Sequence, residues 1–385
     1  MNRIFSNLDQ NELDFQSEVT EYCANEIEPY VENIEQGKMD IFDVIKPMGK
    51  KRYIGTSYPE EYGGLNKSLK HELILDEAIS YHSLPVGLSR WCSIYPASLI
   101  LNFNKTEKLG KYIESLCKGE KIGCFCFTEP DAGSDLSRMK TIYEKDEANS
   151  ELILNGEKRF ITNGSIADVL VVYGRNGACI VESKWQGVEV IEEYQLMGLH
   201  GLHLGHLKFN NVHIPQENVL FYQEIAKNST GKAKEGKTSA ISSMQQFLSV
   251  ERVTLSVQTL SVARRAIEVA IDYSREREQF KKSISEFEGI SFKIAHMVTN
   301  YEAGRALLEK AVNNAKDGYL AAMAKLFVCQ NSYKICDEAI QILGGIGYTN
   351  KYPVERYARD VRLYRIGGGT DEIMQYIIQK EVYRK

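Results

Sequence analysis

Apolar residues recur every three to four positions through the first part of the chain. Phe15, Val19, Cys23 and Ile27 mark one face of a segment from about Asn11 to Gly37 and predict an amphipathic helix. Helical spacing also predicts elements over Leu69 to Tyr81 and Ala97 to Phe103, with Pro59-Glu60-Glu61-Tyr62-Gly63-Gly64 as a turn-rich break. Near Lys121 the texture changes. Lys121 to Thr128 is apolar, β-branched and aromatic. Short runs then follow at Ile153 to Gly156, Val169 to Tyr173, Ala178 to Val181, Val188 to Ile191 and Leu207 to Ile214, punctuated by Gly and Asn. A helical pattern resumes at about Ala240 and runs to Arg277. Two more follow over Phe292 to Ala315 and Leu320 to Leu343. The pattern predicts a mainly α chain with a β middle domain. Its expected units are a helical domain (1–120), a β domain (121–222) and a helix bundle (223–385), the last opening with a polar loop at 223–239.

Composition narrows the class. Of 385 residues 43% are apolar, ample for a core, and the net charge of −5 carries no nucleic-acid footprint. No run of about eighteen apolar residues occurs, so no membrane span is expected. Met1 to Asn11 has neither an apolar signal core nor an Arg-rich presequence. Eight scattered cysteines are too sparse for a disulfide scaffold, and a reduced cytoplasm is the expected setting. Cys124 and Cys126 read as buried strand positions.

Four stretches carry candidate chemistry. Gly231 to Thr238 fits the phosphate-loop pattern, but polar residues precede it where the mechanism needs a strand. His200, His203 and His206 have the look of a ligand cluster. Strand alternation would turn His203 away from the other two, and no metal site is expected. The richest stretch is the last. Gln341 to Tyr348 and Ile366 to Ile373 are glycine-rich turns flanking a charged segment. A Gly-Gly-Gly-Thr turn opening a helix lets backbone approach a ligand and presents free N–H groups. Two tight turns around an ion-paired surface is the alternative. On the long helix, Met244, Leu248, Glu251 and Leu255 follow steps of four, three and four, so Glu251 falls on the apolar stripe. A carboxylate there is costly unless paired or used. It is either a base or the partner of an arginine such as Arg252 or Arg264.

The C-terminal run resembles the signature of the acyl-CoA dehydrogenase family of flavoproteins. The resemblance recurs at Phe127-Thr128-Glu129-Pro130-Asp131-Ala132-Gly133-Ser134-Asp135, at Lys158 to Gly164 and at Arg275 to Phe280, in the family's order. It implies a helical N-terminal domain, a β-barrel-like middle domain and a C-terminal four-helix bundle. It also implies FAD as cofactor and α,β-dehydrogenation of an acyl thioester. Many relatives carry the base two residues before the Thr of Gly-Thr, a position that is Gly368 here. A subset resembling isovaleryl-CoA dehydrogenase carries it on the long helix beside an arginine, matching Glu251 and Arg252. The resemblance further gives the Gly368 N–H to the thioester carbonyl. It gives Phe125, Phe127, Thr128, Gly133 and Ser134 to the flavin surface, with Ser134 also at the thioester arm, and Phe160 and Thr162 to the flavin face and N5. Arg277, Gln279 and Phe280 match contacts to a neighbouring subunit's FAD. Gln341, Gly344 and Gly345 match another contact between subunits, and Thr370 and Glu372 contacts near the cofactor's phosphates. At least a homodimer is implied, with a homotetramer expected.

Some positions depart from the pattern. Lys281 stands where Gly is usual, Glu288 where Gln is common, and Met197 to Leu204 lacks the usual Arg, Ser and Thr. The Tyr173 to Val181 hairpin is short, and 223–239 resembles an insertion. These changes surround the thioester arm and leave open an acyl or peptidyl carrier protein in place of CoA. Lys227, Lys232, Lys234 and Lys237 would then steer an acidic carrier. The electron acceptor is either an electron-transfer flavoprotein or oxygen. Alternatives on the same fold are an oxygen-using oxidase of carrier-bound prolyl or small acyl groups, and a non-catalytic flavin scaffold.

Overall fold

The computed structural model describes residues 1–224 and 239–384, with side chains of the second segment described from 247 onward. The phosphate-loop-like stretch, the four lysines and Met244 therefore lie outside the described residues or side chains.

The N-terminal third is six helices: α1 (Gln10–Glu26), α2 (Val31–Glu35), α3 (Phe42–Lys50), α4 (Leu69–His82), α5 (Leu84–Asn102) and α6 (Thr106–Cys117). Asp9 caps α1 in a capping box with Glu12, satisfying two otherwise orphan N–H groups. The predicted single helix to Gly37 stops at Glu26, because Pro29 cannot continue the hydrogen-bond ladder and a 3-10 turn (Glu28–Tyr30) precedes α2. Helix α5 starts thirteen residues earlier than Ala97. Pro85 and Gly87 read as breakers, yet Pro85 lies in the first turn, where its missing N–H costs nothing.

Eight strands follow: β1 (Gly123–Cys126), β2 (Ile142–Asp146), β3 (Glu151–Thr162), β4 (Val169–Gly174), β5 (Gly177–Glu182), β6 (Val188–Glu193), β7 (Leu204–Ile214) and β8 (Val219–Tyr222). They form two four-stranded sheets, ordered β1-β4-β5-β8 and β2-β3-β7-β6. The β1–β4 pair is parallel and the other pairs are antiparallel. In β1 the alternation buries Cys124 and Cys126 and turns Phe125 to the opposite face.

The last third carries α7 (Ser239–Glu276), a hairpin of β9 (Glu278–Gln279) and β10 (Lys282–Ser283), then α8 (Glu288–Val312), α9 (Gly318–Leu343), α10 (Val354–Arg362) and α11 (Asp371–Val382). Helix α7 is the spine. Its buried Val253, Val257, Leu260 and Ala263 pack in the core, while its polar face enters a buried network with the N-terminal helices. Arg90 on α5 lies 2.7 Å from Glu72 and 3.0 Å from Asp76 on α4. Asp76 also accepts from Gln258 on α7 at 3.1 Å, and Gln258 accepts from the Tyr364 hydroxyl at 2.8 Å. Arg264, one of the two candidate partners for Glu251, is instead 2.7 Å from Glu77.

Candidate active site

The central observation is where Glu251 meets the Gly-Gly-Gly-Thr turn. Gly368 has φ +64°, a left-handed conformation that glycine adopts freely. A Cβ built on it would lie 3.7 Å from Glu251 Oε1 and only 2.6 Å from Leu255 Cδ1. The carboxylate of α7 thus reaches the same space that a side chain at position 368 would enter from the loop. A side chain there would strain the left-handed backbone and require the end of the Leu255 side chain to shift. Glu251 also keeps part of its surface accessible.

Two cations pin the turn from either side. Arg252 Nε stands 3.5 Å from the Gly368 carbonyl oxygen, and Lys325 Nζ donates to the Gly369 carbonyl at 2.5 Å. Among the described residues the N–H of Gly368 has no acceptor, so it is free for a ligand oxygen. Burial pushes the Glu251 carboxyl above the usual carboxylate range, opposed by the positive charges of Arg252 and Lys325. Burial likewise holds the Lys325 ammonium below its ordinary value, and that of Arg252 as well. Thr370 closes the turn by capping α11, its hydroxyl accepting from Ile373 N–H at 3.3 Å. Glu372 sits exposed in the first turn of that helix.

Facing this turn is an aromatic wall. Phe125 and Phe127 stack at 5.5 Å, and Tyr95 of α5 packs on Phe125 at 4.8 Å and on Phe247 of α7 at 5.9 Å. Phe247 lies one turn before Glu251, on the same helix face. Burial pushes the Cys92 thiol up, the Glu251 charge acts in the same direction, and Thr162 acts against them. Cys92 and Tyr95 of α5 thus both feel the Glu251 charge. Gly133 and Ser134 lie nearby in sequence to this wall and are exposed. The sequence reading missed Cys92, Tyr95, Phe247 and Lys325. Two of them sit in the unpredicted half of α5. Lys325 was the one charged residue in the apolar run Leu320 to Val328, a signal that was present.

Two exposed aromatics are held in strained backbone. Phe160 has φ +55° within an irregularity between Lys158 and Ile161 of β3, and is 53% exposed. Phe280 and Lys281 have φ +52° and +66° in the two-residue turn between β9 and β10, and Phe280 is 88% exposed. A two-residue turn of this hand needs positive φ at both positions. Lys281 adopts this conformation although it is not glycine. Such strain persists where the side chain is wanted in one place. Phe280, Arg277 and Gln279 line a groove of about 610 Å³ together with Gly345 and Ile346. A Cβ built on Gly344 or Gly345 would meet nothing within 4 Å, and Gln341 is exposed beside them. Gly345, from the second contact set that the resemblance gives, thus lines the same groove as Arg277, Gln279 and Phe280 from the first.

The histidines do not cluster. His200 and His203 precede β7, so strand alternation applies only to His206. His200 lies 3.0 Å from Glu35, His203 3.1 Å from Glu193, and His206 3.4 Å from Glu157. His203 also lies 3.3 Å from Asp40, and no carboxylate is shared among the three.

Comparison with known proteins agrees with this architecture. The N-terminal, middle and C-terminal domains of acyl-CoA dehydrogenase match residues 9–120, 124–212 and 241–383. The chain is 36% identical to an acyl-CoA dehydrogenase of Bacillus subtilis, over 96% of this chain and 97% of that one.

This chain belongs to the acyl-CoA dehydrogenase family.

It is an FAD-dependent oxidoreductase of the type that acts on CH–CH bonds. It is also 31% identical to a mitochondrial isovaleryl-CoA dehydrogenase of Solanum tuberosum, over 98% of this chain and 92% of that one. The solved butyryl-CoA dehydrogenase of Megasphaera elsdenii superposes with a TM-score of 0.88 at 28% identity, covering 99% of this chain and 100% of that one. No described helix is long and apolar enough to cross a membrane. The open groove, the exposed ring of Phe280 and the uncrowded Gly344-Gly345 fit an extended dinucleotide.

Proposed function

We propose that Glu251 is the base of this acyl-CoA dehydrogenase. The observation that carries the reading is the 3.7 Å approach of its carboxylate to the space above Gly368. An acyl thioester would lie with its carbonyl oxygen at the free N–H of Gly368, which favours the enolate-like charge that develops there. Glu251 then takes the α-proton, and the C–H electron pair moves toward the carbonyl. When bound, FAD would supply the acceptor for the β-hydride, and loss of the α-proton and the β-hydride would leave a C=C bond between the α and β carbons. A carboxyl raised by burial is better matched to a carbon-bound proton than an ordinary one. Arg252 and Lys325 hold the turn so that the oxygen and the α-carbon are presented together.

Phe125, Phe127, Thr128, Phe160 and Thr162 would hold the flavin ring, with Gly133 and Ser134 along the thioester arm. Arg277, Gln279, Phe280, Gln341, Gly344 and Gly345 would contact the dinucleotide of a neighbouring subunit, and Thr370 and Glu372 would stand near the phosphates. The exposed, strained Phe280 supports at least a dimer, with a tetramer as the expected assembly in the cytoplasm. The substrate is a short or branched acyl-CoA, and electrons pass to an electron-transfer flavoprotein or to oxygen.

Anaerobic bleaching of the yellow protein by a panel of acyl-CoAs and carrier-bound acyl groups tests this. Bleaching by CoA esters supports the reading. Bleaching by carrier-bound groups alone moves the enzyme to a carrier-dependent substrate, and no bleaching by any thioester removes the catalytic reading.

The pH profile carries a further expectation. The base works deprotonated, so the reduction rate rises with pH through the Glu251 pKa. Lys325 lowers that pKa. Lys325→Met is therefore expected to move the rising limb to higher pH. A limb that stays in place would show that Lys325 does not act on Glu251.

A further inference from the structure

We infer that the acyl chain this enzyme takes carries a neutral oxygen beyond its β-carbon, and that the Tyr95 hydroxyl receives it. The inference rests on the placement of the thioester at Gly368 and Glu251 proposed above. From that point the chain has α7 on one side and α5 on the other. Phe247 continues the Glu251 face by one turn, and Tyr95 packs against it at 5.9 Å. Tyr95 thus packs on the helix face that carries Glu251, and there we place the acyl chain beyond the reacting carbons.

Tyr95 is only 5% exposed, and its hydroxyl has no hydrogen-bond partner. Its ring neighbours are Trp91 at 5.2 Å, Phe125 at 4.8 Å and Phe247. Phe125 also touches Tyr173 at 5.3 Å, and the Tyr173 hydroxyl, in a fully buried residue, is likewise unpartnered. Two phenol oxygens with no partner stand around one aromatic ring. Phenylalanine at either position would give the same packing without an orphan donor, and a buried unsatisfied hydroxyl is unfavourable. A purely hydrocarbon acyl chain would leave both orphans in place. A hydroxyl or oxo oxygen on the chain would accept from Tyr95.

The charge of that group is also fixed by the surroundings. A terminal carboxylate needs a cation. The arginine of this helix, Arg90, is committed to Glu72 and Asp76. Glu251 itself acts on Tyr95 with negative charge. A dicarboxylic acyl group would therefore be repelled, and a neutral polar one accepted.

The test uses isosteric pairs on one carrier: 5-hydroxypentanoyl-CoA against hexanoyl-CoA and 4-hydroxybutanoyl-CoA against pentanoyl-CoA, with glutaryl-CoA as the charged control. Affinities are measured calorimetrically on FAD-loaded Glu251→Gln, where turnover does not intrude, with and without Tyr95→Phe. The hydroxyacyl esters are expected to bind about tenfold tighter than their apolar partners, and Tyr95→Phe is expected to erase that ratio. Tyr95→Phe alone is expected to be at least as heat-stable as wild type, since it removes only a buried orphan hydroxyl. A ratio near one, or a ratio that survives Tyr95→Phe, overturns the inference and leaves the hydroxyl to water. The role of Glu251 is read separately, from flavin reduction in the single Glu251→Gln variant, so each idea can fail without the other.

Discussion

Glu251→Gln is expected to give a folded, yellow protein whose flavin is reduced by acyl-CoA roughly 10²- to 10⁴-fold more slowly, the usual worth of a positioned base. Glutamine keeps the size of the side chain and removes the proton acceptor. It also removes a charge that burial disfavours, so the variant is expected to be no less stable than wild type. Stopped-flow anaerobic reduction and a thermal melt check both halves. Slow reduction with an intact melt separates loss of chemistry from loss of fold. Reduction at the wild-type rate would place the base elsewhere.

Arg90→Leu is expected to be the most damaging single change to the fold outside the site. The guanidinium is fully buried and is the counter-charge of Glu72 and Asp76, themselves buried. Removing one partner of such a group leaves uncompensated charge, at a cost of about 3–5 kcal/mol. The pH dependence follows from Asp76, whose carboxyl burial pushes up to about 6 even with Arg90 beside it. A folded-state pKa above the unfolded one means that the native state holds the extra proton. This contribution to stability therefore falls as pH rises from about 4 through that value. Without Arg90 the folded pKa rises further, so the variant is expected to lie closer to wild type at pH 5 than at pH 8. Adding Asp76→Asn is expected to recover part of the loss. Equal deficits at both pH values would show that packing, not charge, dominates.

The placement of Glu251 was legible because helical periodicity is strict. Steps of four, three and four put a carboxylate on an apolar stripe, and few sequences do so without use. The vacancy at Gly368 could be seen only through the resemblance, since nothing in a lone glycine says which side chain it lacks. The long helices of the last third were read to within a few residues, because their patterns run for many turns. Helix α5 was half missed. Pro85 and Gly87 resemble breakers in a string, and only the first-turn position of Pro85 makes them compatible with a helix. With α5 went Cys92 and Tyr95, and hence the far wall of the site. Strands β2 and β8 were missed because strands of five and four residues give too few alternations to stand out. The shared groove of Phe280 and Gly345 joins segments some sixty residues apart and has no local signature.

The crowding at Gly368 has a consequence for genetics. A strain that has lost Glu251 offers an obvious route to rescue, a carboxylate supplied from the loop. Leu255 and the left-handed turn make that route costly, because a side chain at 368 strains the backbone and must push the tip of Leu255 aside. Suppressors selected after loss of Glu251 would thus be weak at 368 alone. A smaller residue at 255 in the same chain would strengthen them, so the two positions are expected to change together.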